Sequence, residues 1–153
     1  MTLFAFEADF AASLRCIPMV VRYRLDCCGV KLKLQHWLAL SPEDRQALVD
    51  FADGNPQAYR DRLHALVAAT GLPIPADLPV PEVWPWETDA LWAAVATQAR
   101  ERGVTLAGER WGELTPLQRF ALWKLCQPSH ENANFVPALR EFGLVGAEPQ
   151  PVQ

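Results

Sequence analysis

The feature that most constrains this chain is an internal repeat at a constant offset of 74 residues. Gly29-Val30-Lys31-Leu32 returns as Gly103-Val104-Thr105-Leu106. Trp37, Leu40, Ser41-Pro42, Arg45 and Ala47-Leu48 return as Trp111, Leu114, Thr115-Pro116, Arg119 and Ala121-Leu122. Each copy sets a helical stretch before the glycine, a short extended piece after it, a tryptophan turn, and a helix opened by a hydroxyl residue and proline. Tyr59 and Leu63 are answered by Phe135 and Leu139, which gives each copy a closing helix. Two copies alone do not make a solenoid. The expected fold is all-α: a single compact helical domain over residues 1–153, made of two tandem similar helical units. Unit one covers about 14–71 and unit two about 88–143, with a proline-rich strap at 72–87 and a frayed tail at 144–153.

Within the first copy, Ile17, Val20, Val21, Leu25 and Cys28 recur at helical spacing and form one apolar stripe. Pro18 suits a first helical position and Gly29 the left-handed cap beyond the end. An N-terminal arm with Phe4, Phe6 and Phe10 is expected to pack back on the domain, extended at first and helical for one turn at 11–14. Val30 to Leu34 alternates apolar and basic, as a short extended segment does. Ser41-Pro42-Glu43-Asp44 is a helix start, with serine as N-cap, proline at the first position and acids in the first turn. Leu48, Phe51 and Ala52 supply its stripe, and Gly54-Asn55-Pro56 ends that helix and opens the next.

Residues 72–86 carry Pro73, Pro75, Pro79, Pro81 and Pro85, which exclude long regular structure. Leu72, Ile74, Leu78, Val80, Val83, Trp84 and Trp86 interleave with them, too apolar a set for a free linker, so the segment is read as an extended strap. After it, Leu91, Trp92, Val95, Ala96 and Ala99 form one helical face that ends at Gly103. Between the copies Gln46 becomes Phe120 and Val49 becomes Trp123. This extra aromatic pair is either core between the units or an exposed docking surface.

The net charge of −4 argues against a general nucleic-acid binder, whose affinity comes chiefly from neutralised phosphates. The charge is unevenly spread. Five bases and one acid lie between Ser13 and Trp37, against four acids and no base between Ala76 and Ala90. The basic face either docks the acidic segment or meets an acidic partner. No apolar run approaches the roughly 20 residues of a membrane span. The first residues lack the charged and apolar regions of a signal peptide, and four cysteines without such a signal read as reduced cytoplasmic thiols.

No Gly-rich phosphate loop, GxSxG, HExxH or CxxC is present, so the chain is read as a non-enzyme without a cofactor. Adjacent Cys27-Cys28 chelates one tetrahedral metal poorly. Cys16, Cys28, His36 and Cys126 have suitable ligand types for a metal, without a regular spacing, and ordinary buried thiols are the plainer reading. His36, His64 and His130 have no nucleophile or carboxylate at a telling separation. Arg45 and Arg119 recur at one place in each copy, as residues of a structural ion pair would.

The run Leu14-Arg15-Cys16-Ile17-Pro18-Met19, then Val21-Arg22, Leu25-Asp26, Cys28-Gly29-Val30-Lys31-Leu32-Lys33-Leu34, Trp37 and Arg45, resembles the conserved nitrate-reductase-associated proteins. Phe6-Glu7-Ala8-Asp9-Phe10 is similar to the opening of that family, while Cys27 departs from its pattern. The resemblance implies a cytoplasmic accessory protein of nitrate assimilation whose partner is nitrate reductase, acting in its assembly, maturation or activation. It supplies no catalytic residues. Arg15, Arg22, Arg24 and Lys33, with Phe120 and Trp123, are then the candidate partner contacts. The rival reading is a small redox or metal- and cofactor-handling protein that uses its cysteines.

Overall fold

The computed structural model describes residues 3–127 and 130–146. They are mostly helical, with one small two-stranded sheet. The chain divides into two compact units, Met1–Glu82 and Val83–Gln153, and the division falls inside the proline-rich stretch. The side chains of Phe10 and His130 and the tail 147–153 lie outside the described residues.

In the first unit a 3-10 turn, Ala5–Glu7, runs into α1, Ala8–Ala11, so the helical turn of the arm comes earlier than its sequence suggests. The cause is Glu7. Its carboxylate is buried and accepts the backbone N–H of Phe4 at 3.2 Å and of Met19 at 3.1 Å. It thereby caps the start of α2, Met19–Cys28, with Pro18 one position before the helix rather than within it. Helix α2 buries Val21, Leu25 and Cys28 in one core with Tyr59, Leu63 and Val67 of α5, Pro56–Thr70, and Met19 is buried as well. Between them lie α3, Leu34–Ala39, and α4, Pro42–Val49. Ser41 Oγ accepts Asp44 N–H at 3.1 Å, and Asn55 Oδ1 accepts Gln57 N–H at 2.8 Å, so both Pro-started helices are capped as their sequences predict.

Helix α3 replaces the extended reading at its first residue. Lys33 is no usual N-cap, but the His36 ring takes its place: Nδ1 accepts the Lys33 N–H at 3.1 Å and Nε2 lies 3.0 Å from the Pro73 carbonyl. One imidazole thus starts a helix and ties down the segment after α5. Helix α4 stops at Val49 instead of running to Ala52, because the Phe51 and Asp53 carbonyls turn out to the Arg24 guanidinium.

Gly29 ends α2 at φ 72°. A Cβ there would sit 2.7 Å from the Leu78 carbonyl oxygen, so only glycine lets the later chain approach. That chain adds β2, Ala76–Asp77, antiparallel to β1, Val30–Lys31, and Leu78 N–H closes on the Gly29 carbonyl at 2.8 Å. Arg60 Nη1 donates to the Cys28 and Gly29 carbonyls, and Arg60 pairs with Asp77, whose carboxyl it holds below the usual carboxylate range. The segment 76–78 is therefore a clasp on the end of α2.

In the second unit, a 3-10 turn at Pro85–Glu87 leads to α6, Asp89–Glu101. Another at Trp111–Glu113 precedes α7, Pro116–Cys126, and a third, His130–Asn134, precedes α8, Phe135–Glu141. Leu91, Val95 and Ala99 of α6, and Phe120, Leu122 and Leu125 of α7, are buried, as are Phe135 and Leu139 of α8. Trp92, expected on the buried stripe, is instead 38% exposed. The start of the tail is not frayed: Leu144 is fully buried, its carbonyl accepts Ala107 N–H at 2.7 Å, and Val145 bridges Leu106.

Candidate docking surfaces

The basic residues of the first unit separate into two groups. Arg24 is part of the fold: Nη1 and Nη2 donate to the Asp53 and Phe51 carbonyls at 2.6 and 2.8 Å, and its guanidinium stacks over the Phe51 and Tyr59 rings. Arg22 is half-buried, with Nε on the Ile17 carbonyl at 2.9 Å. Arg15, Lys31 and Lys33 are exposed. Directly after Lys33, α3 presents Leu34 at 53% and Leu38 at 46% exposure. They are four residues apart and share one helix face. The periodic reading missed this pair because its attention was on charge.

Arg15 follows Leu14, which holds φ 57°, an unusual conformation for a leucine. The Leu14 carbonyl is the reason. It accepts the Trp37 indole N–H at 2.7 Å and the Arg45 Nη1 at 3.3 Å, while Arg45 Nε and Nη2 take the Trp37 and Leu38 carbonyls at 3.0 and 2.9 Å. Arg45 is thus a carbonyl clamp, and among the described residues it makes no ion pair. Arg119 does likewise on the Trp111 carbonyl at 3.3 Å, eight residues away as Arg45 is from Trp37.

Of the two aromatic candidates in the second unit, Phe120 is fully buried, edge-on to Trp86 at 5.1 Å, with Lys124 Nζ over its ring. Buried in this way, it offers no outer contact. Trp123 is half-buried.

Open recesses are also present among the described residues. A cleft of about 320 Å³ in the first unit is lined by Tyr23, Arg24, Cys27, Gly54, Pro56 and Tyr59. In the second unit a recess of about 380 Å³ lies among Asp89, Trp92, Gly108 and Trp111, and a polar one of about 200 Å³ includes Arg110, Glu113 and Glu141.

The candidate metal ligands are not brought together: among the described residues no three His, Cys, Asp or Glu are placed to hold an ion. Cys16 is exposed, Cys28 and Cys126 are buried, and both His36 nitrogens face backbone groups. Burial pushes the Cys28 thiol up to about 11, with the Arg60 charge opposing it, and the Cys126 thiol up to about 12. Neither forms a thiolate readily at neutral pH.

These features define a mostly helical protein that leaves apolar and basic surface open, with no helix among the described residues long and apolar enough to cross a membrane. The chain belongs to the conserved nitrate reductase-associated protein family, whose family model matches residues 3–142. The family is named for association with nitrate reductase and not for a reaction. No curated protein and no solved structure matches the chain.

Proposed function

We propose that this protein is a non-catalytic, cytoplasmic accessory factor that docks on assimilatory nitrate reductase and serves its assembly, maturation or activation. The observation that carries the reading is the exposed Leu34–Leu38 pair on α3 directly after Lys33, with Lys31 and Arg15 also exposed in the same unit, and the reading makes these bases the rim of an apolar contact. Apolar centre and charged rim is the composition of a protein interface. The family name supplies the partner.

The two units belong to the same proposal as copies of one helical design joined by the proline-rich strap. The shared capping of α4 and α7 supports it: Thr115 Oγ1 accepts Gln118 N–H at 3.1 Å, as Ser41 Oγ accepts Asp44 N–H. So do the paired arginine clamps.

Co-purification of the tagged protein from nitrate-grown cells tests the function. Nitrate reductase is expected in the eluate, with reductase activity reduced in a deletion strain. Absence of the reductase, together with full activity in that strain, removes the reading. The cysteine-based alternative predicts a coloured or metal-containing protein when purified without oxygen, and loss of in-cell function on replacing Cys16 and Cys28 with alanine.

A further inference from the structure

The first unit roofs its tryptophan and the second does not. Over Trp37 passes the chain's own Leu14, whose carbonyl receives the indole N–H, and the Trp37 ring is fully buried. The residue 23 positions before Trp111 is Thr88, but Thr88 is the N-cap of α6, and its carbonyl accepts Leu91 N–H within the first turn. Helix α6 begins one turn earlier, relative to its tryptophan, than α2 does. A helical turn with Trp92 therefore stands where the first unit has a covering loop.

The result is an open, built recess. Trp92 and Trp111 meet edge-on, with ring centroids 4.7 Å apart at 80°. Gly108 keeps the wall low, since a Cβ there would lie 3.8 Å from the Trp92 ring. Among the described residues neither indole N–H meets an acceptor, and that of the half-buried Trp111 is open to solvent. Asp89 contributes an exposed carboxylate at the rim. The surroundings thus offer two aromatic surfaces, two unused donors and a negative charge.

We infer that this recess docks an extended segment of a partner protein, through one large apolar side chain between the indoles, backbone carbonyls on the indole N–H groups, and an adjacent lysine or arginine facing Asp89. Such a segment copies what the first unit holds from its own chain, an apolar Leu14 with its carbonyl on the indole, followed by Arg15. Exposed tryptophans that supply both apolar area and a donor are typical anchors of protein interfaces. The inference rests on the accessory reading and adds to it a contact on the second unit, separate from α3.

The experiment is capture of nitrate reductase purified from nitrate-grown cells by the full chain and by three variants: Trp92→Ser, Trp111→Phe and Leu34→Ser/Leu38→Ser. Trp92 is exposed and Trp111→Phe keeps a ring, so unchanged thermal melts confirm that both recess variants fold. The expected result is a loss of affinity of about tenfold or more for Trp92→Ser and a smaller loss for Trp111→Phe, which removes the donor and part of the ring area but keeps an aromatic surface. A photocrosslinking p-benzoylphenylalanine at position 92 should label a reductase segment with an apolar residue next to a base. Wild-type capture with both recess variants capturing equally well overturns the recess and leaves the accessory reading standing. Crosslinks that land on the chain's own residues 147–153, or on a second copy, also overturn it. A wild type that captures no reductase overturns the accessory reading, and the recess assignment falls with it.

Discussion

Glu7 accepts the backbone N–H of Met19 across twelve residues of sequence, at 3.1 Å, from a side chain only 2% exposed. A carboxylate in the N-terminal arm thus performs the capping that α2 lacks locally, since Pro18 has no side-chain acceptor. Glu7→Ala removes the acceptor of the buried Met19 N–H and of the half-buried Phe4 N–H, at a cost of about 2–3 kcal/mol. Glu7→Gln keeps an acceptor oxygen and should lose less than half of that. Urea unfolding of the two variants checks it, and equal midpoints would show that the carboxylate charge and its bonds do not hold the helix start.

Gly29 and Gly71 share a left-handed backbone, at φ 72° and 82°, but differ in their surroundings. Nothing lies within 4 Å of a Cβ on Gly71, whereas one on Gly29 collides with the Leu78 carbonyl. Gly71→Ala should cost about 1 kcal/mol, the intrinsic penalty of the conformation. Gly29→Ala should cost at least about twice as much, because the clasp must move. Thermal melting of the two variants ranks them, and the reverse order would overturn the account.

The α2 core and the α3 rim should respond in opposite ways. Val21 is fully buried, so Val21→Ala costs about 1–3 kcal/mol and lowers reductase activity only through the amount of folded protein. Arg15→Glu with Lys33→Glu reverses exposed charges, so the fold should survive while reductase capture weakens and loses part of its salt dependence. Melting beside capture at two salt concentrations separates the cases. Undiminished binding by the charge-reversed chain moves the interface away from this face.

Alkaline pH should destabilise the protein through its buried thiols. The folded-state values of Cys28 and Cys126, about 11 and about 12, lie above the ordinary 9.0. The folded chain therefore keeps protons that the unfolded chain releases above about pH 9. The stabilisation is complete below that point and is lost as pH rises through 11 and 12, with the larger share from Cys126. Burial raises Tyr59 as well, which adds in the same direction above its own ordinary value of 10.0. Denaturant midpoints from pH 8 to 10.5 should fall, and Cys28→Ala with Cys126→Ala should flatten the decline. An unchanged slope in the double variant would assign it elsewhere.

What could be read from the sequence was what local chemistry decides. Ser41-Pro42, Asn55-Pro56 and Thr115-Pro116 open helices because their caps are made within three residues. The family was legible from the run between Leu14 and Arg45. Long-range partners were not. The start of α3 depends on a histidine ring that also reaches Pro73, and Arg24 becomes part of the fold only because Phe51 and Asp53 come to it. Phe120 was offered as a partner contact and is fully buried, because periodicity cannot say whether an apolar face meets its own fold or a partner. Trp92 carried the opposite ambiguity: its spacing matched the buried stripe of α6, and it stands at the margin of that stripe, against Trp111.

The clasp on Gly29 also sets an order of events during synthesis. Residues 3–70 can lay down α1 to α5, yet the end of α2 keeps its Gly29 carbonyl without its strand partner until Leu78 has been made. At ribosomal rates of about 5–20 residues per second, the eight residues from 71 to 78 take on the order of one second. Through that interval the chain carries an unpaired β1 edge next to Leu34 and Leu38, the residues assigned to partner contact. The newly made protein thus has a period in which open backbone groups of β1 lie next in sequence to the proposed contact residues, and arrival of residues 76–78 closes them.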